Sequence, residues 1–206
     1  MIGSDLWLFV AALVTVYLLP GPDMAMVVST SAMAGERNGL LVALGLAVSR
    51  AVHVTLSAVG LAAAFHTYPI LLDIVRWFGA GYFVWIAWKI INAGQGNGEP
   101  RNVEAYSGLA AIQRGFLTNM LNPKAFMFCA LLLPQFIFAQ EPLLPQYLLL
   151  GTILVGIGVF FDVVFAVVTY RFAKCSEGSS AVQKIAKVIF ASVFVLAAIR
   201  LAVAGM

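Results

Sequence analysis

Six stretches of this chain are long and apolar enough to cross a hydrocarbon core: residues 6–33, 40–65, 69–92, 116–138, 146–172 and 185–203. A helix needs about 20 mostly apolar residues to span roughly 30 Å of hydrocarbon. In lipid every backbone N–H and C=O must be paired inside the protein, which leaves only helices and closed barrels. Barrel strands alternate polar and apolar residues, and runs such as 153–161 show no such alternation. The predicted fold class is therefore an all-α integral membrane protein with six transmembrane helices. Composition agrees: 62% of the 206 residues are hydrophobic and 10% are charged, against about 25% charged in soluble domains. That leaves too little polar surface for a water-soluble enzyme. The net charge of +3 comes with no dense basic run, so no nucleic-acid partner is expected. The expected partner is the lipid bilayer.

Lys and Arg set the orientation. The loops after spans one, three and five, with the adjoining helix ends, carry Arg37, Lys89, Arg101, Arg114, Arg171, Lys174, Lys184 and Lys187. Only Arg76 and Arg200 lie near the other face. Positive residues stay cytoplasmic, so both termini are predicted to face the periplasm. Residues 1–5 hold no Lys or Arg, so a cleavable signal is not expected and residues 1–30 are read as retained. The polar, Gly-rich segment 94–114 reads as a disordered cytoplasmic loop. In the third span Trp77, Tyr82, Trp85 and Trp88 read as interfacial anchors.

The first span is too long for one straight helix: its 28 residues would reach about 42 Å. It also contains Pro20-Gly21-Pro22, and proline removes a backbone donor and clashes with the preceding turn. The fourth span has its own interruption at Asn122-Pro123-Lys124. Pro22 and Pro123 are 101 residues apart, close to half the chain. Each half then holds three spans and begins with a broken helix. Three is odd, so the halves enter the membrane in opposite senses, the pattern of inverted-repeat transporters. The domain reading is one membrane transporter domain over 1–206. Repeat one covers about 5–93, the loop 94–114, and repeat two 115–206.

Unwound backbone at membrane depth lines a cavity or is buried in protein. The two breaks therefore make Pro20, Gly21, Pro22, Asp23, Asn122, Pro123 and Lys124 candidate substrate-binding residues. Asp23 and Lys124 follow equivalent breaks, one acid and one base, and suit the two ends of a zwitterion. Free amides at the start of the half-helix after Pro22 would also attract a carboxylate. The bland alternatives are an N-cap for Asp23 and a snorkelling Lys124.

Ionisable residues inside spans default to functional candidates. Ser49, Arg50, His53, Ser57 and Gly60 step by three or four residues and share one helix face. Arg50, His53 and Asp162 are candidates for proton coupling. Asp162 is equally open to an ion pair with Arg50, His53 or Lys124. A His53–Ser57 hydrolase pair lacks a third orienting group. Gly151 and Gly158 read as packing positions. Cys129 and Cys175 read as free thiols. No metal site is expected, since two His and two Cys are scattered without ligand spacing. No cofactor is expected either: the glycines of 94–98 lack the Lys of a phosphate loop.

Three motifs carry a family resemblance. They are Leu19-Pro20-Gly21-Pro22-Asp23, Arg114 to Asn119 followed by Leu121-Asn122-Pro123-Lys124-Ala125, and Trp77-Phe78-Gly79-Ala80-Gly81-Tyr82 with Trp85, Trp88 and Lys89. In this order they resemble the LysE/RhtB amino-acid exporters, over nearly the whole chain. Ser49-Arg50 departs from the small or apolar residues expected at that place. The resemblance implies proton-driven efflux of small amino acids across the bacterial inner (plasma) membrane. The Pro-Gly-Pro-Asp turn resembles the homoserine/threonine/leucine branch. Cation export and an integral membrane enzyme are the alternatives, and a homodimer is one assembly open to the chain.

The orientation is testable. A cysteine placed at Gly98 should react with an impermeant thiol reagent from the cytoplasmic side only. Labelling from outside intact cells would reverse the topology.

Overall fold

A computed structural model describes residues 3–60, 70–92, 107–138, 140–175 and 180–203, and every regular element among them is helical. Helix α1 covers Gly3–Leu18, α2 Pro22–Ala34, α3 Glu36–Ala58 and α4 Ile70–Asn92. Helix α5 covers Gly108–Met120 and α6 Pro123–Met127, which runs on through a π turn (Phe128–Leu132) and a 3-10 turn (Leu133–Phe136). Helices α7 (Leu143–Cys175) and α8 (Ser180–Val203) complete the chain.

Both expected breaks are present. The axes of α1 and α2 differ by 52°, and those of α5 and the 123–136 segment by 57°. In each case proline starts the second half-helix, where its missing N–H costs nothing. The Asn122 side chain caps the second of them, accepting from the Lys124 amide at 3.0 Å. Helices α3 and α7 are each long and apolar enough to cross a membrane; counting each bent pair as one span makes four among the described residues. The chain is a multi-pass membrane protein. Helices α4 and α8 are 23 and 24 residues long. The far end of the expected second span and the first residue of the third fall in 61–69, outside the described residues.

Several boundaries differ from the sequence expectation, since the helices from Gly3, Glu36 and Ser180 also begin before 6, 40 and 185. The fourth span begins at Gly108 rather than 116, so the end of the expected 94–114 loop is helical; residues 93–106 lie outside the described residues. The start of α5 is amphipathic, with Gln113 and Arg114, and an apolar window misses it. Its signal is Ser107, whose side chain accepts from the Ala110 amide as an N-cap. Helix α7 also outruns 146–172 at both ends, as a 33-residue helix.

Buried apolar side chains form two clusters. One includes Met26, Leu46, Phe83, Ala166 and Phe194. The other includes Phe9, Leu13, Val54, Phe128, Leu150 and Leu154. The bent pair α1–α2 passes from the second cluster (Leu13) to the first (Met26), and α5–α6 passes from the first (Ala111) to the second (Phe128). The two broken elements thus run in opposite directions. So do α3, from Leu46 to Val54, and α7, from Leu154 to Ala166. Helices α4 and α8 both serve the first cluster and pack on each other. In all four crossing elements the ionisable candidates Asp23, Arg50, His53, Lys124 and Asp162 fall where one cluster gives way to the other.

Helices α3 and α5 make the closest approach through two glycines. A Cβ on Gly45 would strike the Ile112 carbonyl oxygen, and one on Gly115 would strike the Val42 carbonyl oxygen. Backbone cannot move aside as a side chain can, so Gly115→Ala should cost about 1–3 kcal/mol. Gly156, with open space around it, should tolerate Ala at no cost, since alanine is the better helix former. Melting of the purified protein in detergent would separate the two; equal melting temperatures would show that the helices do not meet at Gly115.

Candidate functional site

The polar layer between the two clusters contains a cavity of about 40 Å³. Its polar wall is Tyr17, Asp23, Arg50, Asn119, Lys124 and Asp162, and its apolar wall includes Leu13, Phe128, Leu154 and Phe165. Four of the five ionisable sequence candidates, Asp23, Lys124, Arg50 and Asp162, meet at this cavity; His53 is not in its wall. Pro20, Gly21, Pro22, Asn122 and Pro123 do not line it; they shape the two breaks around it.

Asp23 sits in the first turn of α2, while Gly21 is the N-cap residue. The N-cap alternative for Asp23 is thereby corrected. Its carboxylate instead receives Asn119 Nδ2 at 2.6 Å on Oδ2 and Asn122 Nδ2 at 2.8 Å on Oδ1. Arg50 Nη2 lies 3.6 Å from Oδ2. No side chain caps the first amides of α2, so that half-helix keeps donors for an anion.

Lys124 reaches across to the first break. Its Nζ donates to the carbonyl oxygens of Val16 at 2.9 Å and Leu19 at 3.0 Å. Those carbonyls belong to the end of α1, where helix geometry leaves acceptors unpaired and where a cation is favoured by the helix dipole. The contact is close on all sides: a Cβ on Gly21 would stand 3.2 Å from Nζ. Lys124 is thus an internal partner, not a snorkelling residue.

Arg50 and Asp162 form a two-pronged ion pair, Nη1–Oδ2 at 2.5 Å and Nη2–Oδ1 at 3.3 Å, with both side chains almost fully buried. This geometry suits the planar guanidinium. The Tyr17 ring lies against the guanidinium, with Cζ 5.1 Å from its centroid, and its hydroxyl donates to the Leu154 carbonyl at 3.0 Å. Gly158 makes room: a Cβ there would press on both Arg50 and Tyr17. Gly151 likewise faces Val54. Of the three partners open to Asp162, the structure selects Arg50.

His53 is buried with neither ring nitrogen hydrogen-bonded, edge-on to Phe126 with ring centroids 5.8 Å apart. It does not engage Ser57, whose hydroxyl donates to the Cys129 carbonyl at 2.6 Å at the π turn. The hydrolase pairing is therefore absent. Cys129 and Cys175 are free thiols. Among the described residues no group of three or more His, Cys, Asp or Glu could hold a metal ion.

Sequence reasoning missed Asn119 and Tyr17. Asn119 lies inside the second signature, as a carboxamide in a span, and that was its signal. Tyr17 carried none, because an aromatic at the end of an apolar helix reads as an anchor. Two acids and two bases share the cavity, so its formal charge is zero. Such a charge-balanced arrangement is costly to break: an unpaired buried charge costs several kcal/mol.

The chain is similar in sequence to known proteins. A homoserine/homoserine lactone efflux protein of Salmonella typhi is 30% identical over 185 residues, covering 90% of this chain and 89% of the relative. The homoserine/homoserine lactone efflux protein of Salmonella typhimurium is 29% identical over 90% of this chain and 89% of its own. A leucine efflux protein of Enterobacter sp. (strain 638) is 31% identical over 65% of this chain and 64% of its own. No solved structure matches. The family model described as LysE type translocator matches residues 14–205, and the chain belongs to that family of membrane exporters.

Proposed function

We propose that this protein exports small neutral amino acids from the bacterial cytoplasm, across the inner membrane, in exchange for protons. Homoserine, threonine and leucine are the substrates we favour. The observation that carries the reading is the charge-balanced cavity where two oppositely running broken helices meet. The full architecture in this reading is six spans in two inverted three-helix repeats, with both termini periplasmic. The opposed directions of α1–α2 and α5–α6, and of α3 and α7, support it.

Asp23 is assigned the substrate ammonium. The carboxylate is assigned to the uncapped amides after Pro22 and to the one Lys124 N–H not held by α1. In this reading the cavity opens by parting of the two breaks as substrate loads. Arg50 and Asp162 stand beside the site as the charge pair whose balance a proton would change, and His53 is the second candidate carrier. Proteoliposome efflux of labelled amino acids, dependent on an imposed proton gradient, tests the function. Hydrolysis or group transfer without vectorial movement would replace it with a membrane enzyme.

Two variants test the assignments. A charge-assisted hydrogen bond contributes roughly 1.5–3 kcal/mol, so Asp23→Asn should weaken amino-acid binding about ten- to a hundredfold. Analogues lacking the ammonium should lose little. Equal loss for both would make Asp23 a structural residue. Separately, Asp162→Asn or His53→Gln should abolish gradient-driven accumulation and spare substrate exchange, because exchange needs binding and isomerisation without net proton movement. If both variants accumulate substrate normally, neither residue carries the proton.

A further inference from the structure

The two carboxamides on Asp23 are not equivalent. Asn122 is fixed at both ends: its Nδ2 donates to Asp23 at 2.8 Å, and its Oδ1 accepts from the Lys124 amide at 3.0 Å. It does not line the cavity. Asn119 does line the cavity, and only one of its ends is held. Its Nδ2 donates to Asp23 at 2.6 Å, while its Oδ1 is buried without a hydrogen-bond partner. The sense of that amide is not arbitrary, since turning its oxygen toward a carboxylate would set two acceptors against each other. A buried polar atom left unpaired is costly, and its retention calls for a partner in another state.

We propose that Asn119 is a rotating amide that determines recognition of the substrate ammonium. In the empty site its N–H group occupies Asp23 Oδ2, standing in for the ammonium. On loading, the ammonium takes over that oxygen, and the Asn119 side chain turns so that Oδ1 accepts a second ammonium N–H. One side chain thereby serves as competitor in the empty site and as ligand in the loaded one. Asn122, held as a helix cap, keeps its bond to Oδ1 of Asp23 throughout and fixes the carboxylate. This rests on Asp23 being the ammonium partner, as proposed above.

The test is binding to the purified full-length protein in detergent. The probes are L-homoserine and L-leucine, each beside the 2-hydroxy acid that carries a hydroxyl in place of the ammonium. Asn119→Leu removes donor and acceptor while keeping the branched shape in a bulkier side chain, and Asn119→Ala repeats the test with a smaller one. Both should weaken binding of the amino acids by about tenfold and leave the hydroxy acids within about twofold. Unchanged hydroxy-acid binding also shows that the variant is folded. Amino-acid binding that is unchanged or tighter in both variants would make Asn119 only a cap on the empty site; it would overturn this inference and leave Asp23 as the ammonium partner. If Asp23→Asn itself fails to discriminate amino acids from hydroxy acids, or if neither amino acid binds the wild-type protein, the underlying assignment fails and this one with it.

Discussion

A helix broken inside lipid exposes backbone groups where no water can meet them. This chain answers that constraint by making each break the other's solvent. The carbonyls left at the end of α1 are taken by the Lys124 ammonium. The acid that opens α2 is taken by Asn119 and Asn122. All three donors come from the second break, and all the acceptors lie at the first. The cavity exists because these groups hold two chain interruptions at one depth between two apolar clusters.

The charge pattern follows from the same place. Half-buried Asp23 is held by two carboxamides and a nearby guanidinium rather than by one tight salt bridge. Arg50 is committed to Asp162 by two contacts and to Asp23 by one longer one. Arg50 therefore links the acid assigned to the substrate with the acid assigned to the proton. A change in charge on either acid alters how the guanidinium is shared, and the exchange of a zwitterion for a proton proposed above would draw on that linkage.

Much of this was legible in the sequence because lipid enforces simple rules. The prolines at 20, 22 and 123 announced both breaks, and the three- and four-residue spacing of Ser49, Arg50, His53, Ser57 and Gly60 announced a buried face; the first four are buried, while Gly60 lies past the end of α3 and is exposed. Asp23 and Lys124 were expected on one cavity and are found there. What failed was local or three-dimensional. The amphipathic first turns of α5 hid behind an apolar threshold, although Ser107 marked them. The choice of Arg50 as partner of Asp162 depends on how α3 meets α7 across 112 residues of chain, which no periodicity encodes. Lys124 was expected to face a ligand, and its engagement with α1 carbonyls depends on the 52° bend that leaves them open.

The reach of Lys124 also has a mechanical meaning. Its ammonium is a pivot shared by segments more than 100 residues apart in sequence. If α6 swings away, the carbonyls of Val16 and Leu19 lose their donor within lipid, and only an entering ligand, water or a shift of α1 itself can replace it. The Lys124 contacts therefore tie the first break to the second. In the exporter proposed above, a tie of this kind would set the two halves in step by the geometry of a single side chain.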